Sequence, residues 1–107
     1  MEAINMVYMT AGSKDEAFAL GKELVANKLA ACVNVIDNMQ SIFEWEGEVK
    51  HDTEVVLIAK TTAARTPELI EMVQNKHSYD CPCVVCLPVS NGNPEFLEWI
   101  GDSVNPA

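Results

Sequence analysis

The sequence predicts an α+β fold, a single sheet covered by two main helices, and three observations carry that expectation. Runs with strand alternation and runs with helical period succeed one another in the order βαββαβα. The third and fourth of these runs are adjacent strands joined by a tight turn. The length, 107 residues, provides for one hydrophobic core and no second substantial one, so the whole chain, 1–107, reads as a single domain.

The first run is "INMVYMT" (4–10), apolar and β-leaning, ending at Ala11-Gly12. Ser13-Lys14-Asp15-Glu16 then has the form of a capping box. Ala17, Leu20, Gly21 and Leu24 follow on one helical face, with Val25 beside it, and the pattern holds to about Leu29. From Ala31 the pattern is β again, "ACVNVIDNMQSIFEW", with a bulge expected near Asp37-Asn38. After Glu46-Gly47 it resumes as "EVKHDTEVVLIAKTT", which completes a hairpin. Thr66-Pro67 supplies an N-cap and a first-turn proline for a second helix, with Leu69, Met72, Val73 and Lys76 on one face and Ile70 adjacent. "VVCLPVS" (84–90) is the last strand, and Asn91-Gly92 turns it. Asn93-Pro94-Glu95 starts a short terminal helix through Phe96, Leu97 and Ile100. This order is a split βαβ, the ferredoxin-like sandwich with both main helices on one sheet face, extended by a C-terminal helix.

The central hairpin is too long for such a domain. Cys32 to Trp45, if extended, spans roughly 45 Å at about 3.4 Å per residue. A domain of this size has a radius of gyration of only about 13 Å. The hairpin therefore overhangs its core and presents Ile42, Phe43 and Trp45 with open strand edges, which pairing with another subunit would cover. An obligate oligomer is expected.

Composition narrows the function classes. Hydrophobic residues make up 49% and charged residues 21%, as in an ordinary globular protein. The net charge of −9 comes from acidic residues spread along the chain, so nucleic acid and anionic membranes are poor partners. Such a field keeps a protein soluble and also concentrates cations. The first residues carry no basic region, cleavage site or membrane-length apolar run, which reads as cytoplasmic. In that reducing setting the four cysteines are free thiols available for packing, ligation or catalysis.

Three of those cysteines fall in "HSYDCPCVVC" (77–86). A zinc knuckle needs a second Cys or His pair that the chain does not offer, and a thioredoxin-type motif needs a helix that does not start here. If 82–89 is a strand, Cys81 and Cys83 face one way and Cys86 the other, so Cys83 and Cys86 cannot chelate together. Cys86, in a valine-rich run, reads as a core thiol. Cys32 reads as a small buried thiol or a ligand at a strand end. His77, at a helix C-terminus, reads as an exposed structural histidine or a ligand, and His51 as a solvated one. No nucleophile–base–orienter set, P-loop, G-x-S-x-G elbow or G-x-G-x-x-G occurs, so enzymatic activity has no support in the sequence. The loop after the first strand, Met9-Thr10-Ala11-Gly12-Ser13, has neither the thiols of copper chaperones nor the arginine of acylphosphatase-like chains.

Taken together, "NKLAACVNVI" (27–36), "SIFEWEGEV" (41–49), "DTEVVLIAKTT" (52–62), "KHSYDCP" (76–82) and "LPVSNGNPEFLEWI" (87–100) resemble the CutA-type divalent-cation tolerance family. The resemblance runs over nearly the whole chain. It implies a ferredoxin-like subunit in a tight homotrimer like that of PII signalling proteins, with the long hairpins forming inter-subunit sheets. It implies metal ligands at Cys32, Glu54 and His77, and a ligand cleft lined by Trp45, Lys60 and Tyr79. Thiolate, imidazole and carboxylate suit copper or another divalent cation. The family's usual His-Pro-Tyr-Glu-x-Pro-Glu reads here His77-Ser78-Tyr79-Asp80-Cys81-Pro82-Cys83, so Cys83 stands where a carboxylate is usual. As a ligand it would favour softer ions. The competing functions are a metal-binding tolerance protein and a PII-like sensor of a small molecule or protein partner in inter-subunit clefts.

Overall fold

Eight extended residues, Ile4–Ala11 (β1), lead through Gly12 and Ser13 into helix α1 (Lys14–Ala26). The computed structural model describes residues 2–105. Ser13 caps α1 as expected, its Oγ accepting the Glu16 N–H at 3.2 Å. The helix stops before the end of the apolar pattern because Lys28 takes a left-handed conformation at φ 56°. The Leu29 N–H then reaches back to the Leu24 carbonyl at 2.9 Å, a Schellman-type end that keeps Leu29 in the core.

Strands β2 (Cys32–Trp45) and β3 (Glu48–Thr62) form the long hairpin. Glu46 and Gly47, at φ 52° and 81°, make the tight turn whose twist matches the strands. The bulge lies where the sequence places it. Pairing steps from Ile36↔Val56 to Met39↔Glu54, and Asn38, at φ 60°, donates its N–H to its neighbour Asp37 at 2.7 Å.

Helix α2 (Thr66–Lys76) begins differently from the expectation. Arg65, not Thr66, occupies the N-cap. Thr66 is already helical, and its hydroxyl donates to the Thr62 carbonyl at 2.9 Å while accepting from Asn5 Nδ2 at 3.0 Å. A threonine used to join the helix to β1 and β3 is not free to cap. Strand β4 (Val84–Val89) and helix α3 (Pro94–Val104) complete the chain, with Asn93 capping α3 through the Glu95 N–H at 3.1 Å.

The four strands lie in the order β2-β3-β1-β4, every neighbouring pair antiparallel. This is the split βαβ sheet. Val7, Met9 and Ala11 of β1 with Val55, Leu57 and Ala59 of β3 face Leu20 and Leu24 of α1 and Leu69 and Val73 of α2, and together they form the main core. Alternation puts Tyr8, Thr10, Glu54 and Lys60 on the opposite face. There α3 covers one end: the Lys60 ammonium lies 5.9 Å from the Phe96 ring centroid, and Ile100 and Val104 are buried. The rest of that face is open, with Ile36, Val85 and Leu87 each about half exposed.

Cys86 is not a core residue. It pairs with the fully buried Val7, so it does face the helix side, but β4 is an edge strand and Cys86 is exposed there. The overhang is present: the molecule measures 46 × 26 × 21 Å. Ile42, Trp45 and Val49 at the hairpin end are 76%, 60% and 79% exposed.

Candidate ligand cleft

Helix α2 ends by turning His77 out of helical conformation, its N–H still bonded to the Val73 carbonyl at 2.9 Å. The side chain does not reach solvent; it is fully buried against β1. Nε2 lies 2.7 Å from the Thr10 carbonyl, and Nδ1 lies 3.0 Å from the Tyr79 N–H. A carbonyl only accepts and an amide N–H only donates, so the pair fixes the neutral Nε2–H tautomer. Both ring nitrogens are thus occupied, in roles that shape the following loop.

Glu16 holds the same loop from the other side. Its carboxylate accepts the Ser78 N–H at 2.7 Å, the Ser78 hydroxyl at 3.0 Å and the Gly12 N–H at 3.4 Å. Burial pushes this carboxyl up, but the donors from Ser78 and Gly12 outweigh it and leave the group below its ordinary range.

Tyr79 stands between these anchors and the hairpin. Its ring is 4.7 Å from the His77 ring at a 55° tilt. Gly12 lies beneath it, where an added Cβ would meet the Tyr79 hydroxyl at 3.2 Å. That hydroxyl donates to Glu54 at 3.2 Å, and the other Glu54 oxygen accepts from the Ser41 hydroxyl at 2.6 Å. Burial, then the charge and hydrogen bond of Glu54, then Glu16 and Asp52, all push the Tyr79 phenol above its ordinary value.

These residues floor a cleft of about 790 Å³ between the hairpin and the 78–83 loop. Ile42, Phe43 and Trp45 form an apolar wall. Asp80, Cys81 and Cys83 line the loop side, and Met39 adds a thioether from β2. The ionisable lining is carboxylate, phenol and thiol; no lysine, arginine or histidine belongs to it among the described residues.

The expected ligand residues divide. Glu54, Tyr79, Trp45 and Cys83 line this one cleft. Cys32, half-buried, pairs with Lys60, which lies six β3 positions from Glu54, so both sit roughly 20 Å away at about 3.4 Å per residue. Lys60 hydrogen-bonds Asn34 and approaches Phe96, at the α3 end of the face. His77 lies under the cleft without opening into it. Among the described residues no three His, Cys, Asp or Glu side chains converge as a metal-ligating group. His51 is exposed and bonds Gln40 at 2.6 Å. Ser41, Ser78 and Asp80 carry no site signal of their own in the sequence. The capping box did mark Glu16, but its second partner, Ser78, lies 62 residues away.

The sequence pattern of the family described as CutA1 divalent ion tolerance protein matches residues 5–103. The chain is 41% identical over 98 residues to the divalent-cation tolerance protein CutA of Thermus thermophilus, covering 92% of this chain and 95% of that one. It is 40% identical over 98 residues to the chloroplastic protein CutA of Arabidopsis thaliana, covering 92% of this chain and 54% of that protein; it spans about half of that relative's length. The crystal structure of CutA1 from Oryza sativa superposes with a TM-score of 0.95 at 37% identity, covering 99% of this chain and 97% of that one.

Proposed function

Because the chain belongs to the CutA1 divalent ion tolerance family, we propose that it serves divalent-cation tolerance as a non-enzymatic homotrimer that binds a cation, copper foremost, in the cleft beneath its hairpin. The lining of the cleft is the observation that carries this reading. Glu54 and Asp80 supply carboxylates, Cys81 and Cys83 supply thiols, and no basic group belongs to the lining among the described residues. In a chain of net charge −9, such a site attracts cations and repels anions. Copper leads because it heads the divalent affinity order and sulfur donors suit it. The trimer rests on the overhanging, exposed hairpin end and on an apolar groove of about 570 Å³ between α1 and β2, walled by Phe18, Val25 and Val33, where an apolar segment of another subunit fits. The cytoplasm, where thiols stay free, is the compartment in this reading.

Calorimetric titration of the purified protein with Cu(II), Zn(II) and Mg(II) tests it. Specific copper binding weakened about tenfold or more by Glu54→Gln or Asp80→Asn is expected. Absence of specific binding of any of these ions, or an affinity unmoved by both substitutions, overturns it.

The size of the cleft favours a second reading. About 790 Å³ with an aromatic wall is far more than an ion fills, and suits a small organic effector, as in a sensor trimer. Such an effector would be neutral or cationic, given the lining. Calorimetry showing an organic cation bound while metal ions are not would select it.

A further inference from the structure

The cleft holds two thiols that neither the fold nor the hydrogen-bond network uses. Cys81 and Cys83 are both free and exposed, and both line the cleft. They stand on either side of Pro82, just before β4 begins at Val84. Proline fixes its own φ and biases the preceding residue to extended backbone. The chain bends at Cys81 and enters β4 only at Val84, yet residues two apart are separated by at most about 7 Å, so two Sγ atoms lining one wall come within reach of a single ion. The other two thiols do not compete. Cys86 faces the helix side of the sheet, paired with Val7, and Cys32 lies at the Lys60 end of the hairpin.

One of the two carboxylates that line the cleft is already engaged. Glu54 accepts from Ser41 with one oxygen and from Tyr79 with the other. A hard, oxygen-loving ion would compete with those donors for Glu54, with Asp80 as the other carboxylate of the lining. A soft ion held by sulfur would not, and the Met39 thioether adds a further soft donor on the same lining.

We infer that Cys81 and Cys83 form a two-thiolate site for a soft monovalent cation, copper(I), on the loop wall of the cleft. The inference rests on the cation-binding reading above and names the ion and its ligands. Binding breaks two S–H bonds and forms two Cu–S bonds. Two protons go to solvent and no electron moves, the copper arriving already as Cu(I).

Competition for Cu(I) against bicinchoninate, under anaerobic conditions with reduced protein, tests the assignment. One Cu(I) per chain is expected. Cys81→Ser and Cys83→Ser should each weaken binding at least 100-fold, while Cys32→Ser and Cys86→Ser leave it within about twofold. Bound Cu(I) should also protect Cys81 and Cys83, but not Cys86, from alkylation by iodoacetamide, a readout on the unsubstituted protein that does not depend on how a variant folds. Retention of affinity in either Cys81→Ser or Cys83→Ser, or alkylation of both thiols in the Cu(I)-loaded protein, overturns the inference. If the Cu(II) titration succeeds with its dependence on Glu54 or Asp80 while Cu(I) binding ignores these thiols, only this inference falls. If neither oxidation state of copper nor the other ions bind, both readings fall.

Discussion

The Tyr79 hydroxyl donates to Glu54 at 3.2 Å, which fastens the loop after α2 to the middle of the β2–β3 hairpin through a side chain and not through backbone pairing. Glu54 also takes the Ser41 hydroxyl from the facing strand, so one carboxylate holds both sides of the cleft floor. The phenol is therefore harder to ionise in the folded protein than its ordinary value of about 10. Its contribution to stability is complete below that value and is lost as pH rises through the raised folded value. In a Tyr8→Phe background, near-ultraviolet absorbance should show Tyr79 ionising above pH 10, with the midpoint moving down in Glu54→Gln. An unmoved midpoint would remove the coupling between the two groups.

Glu16 gives the opposite dependence. Its folded carboxyl is held below 4.5, so its stabilisation is present above the ordinary carboxylate range and is lost as pH falls through the depressed value. Glu16→Ala leaves the Ser78 and Gly12 donors without their acceptor and should cost roughly 1–3 kcal/mol at neutral pH. Urea unfolding at matched protein concentration checks this. The gap between the two proteins should narrow at a pH of about 3.

Gly12→Ala probes the close approach beneath Tyr79. The new Cβ, 3.2 Å from the phenol oxygen, must push the ring aside or shift its own backbone. A loss of about 1 kcal/mol and a fall in the Tyr79 ionisation midpoint are expected together. A stability loss with the midpoint unchanged would mean that the backbone yields and the ring does not.

The hairpin end predicts association. With Ile42, Trp45 and Val49 mostly exposed, light scattering at low micromolar concentration should give a trimer, and Ile42→Asp with Val49→Asp should shift it toward smaller species. A stable, folded monomer of the unsubstituted chain would refute the overhang argument.

Local features were legible in the sequence because their causes are local. Ser13 and Asn93 each cap a helix within three residues of themselves, and Glu46-Gly47 makes its turn from its own backbone preferences. The long hairpin and its bulge follow from strand patterning. Features that depend on where distant segments meet were not legible. Thr66 reads as a cap, yet Asn5 and Thr62 recruit its hydroxyl across the fold. Cys86 has a core residue's neighbours in sequence but lies on an edge strand, and edge position is a property of strand order. The site divided in the same way. Glu54, Tyr79, Trp45 and Cys83 share the cleft, whereas pairing register carries Cys32 and Lys60 to the other end of the face.

The bulge at Asp37-Asn38 acts as a phase shifter. Before it, the even-numbered residues of β2, Cys32, Asn34 and Ile36, address the sheet face that α3 partly covers; after it, the odd-numbered ones do. Met39, Ser41, Phe43 and Trp45 reach the cleft only because one residue was added to the count. A strand without that residue would turn Gln40 and Glu44 there instead, beside the Ile42 that already borders the cleft: a thioether, a hydroxyl and two aromatic rings exchanged for an amide and a carboxylate. The chemistry of the cleft is thus set by the parity of a strand as much as by its composition.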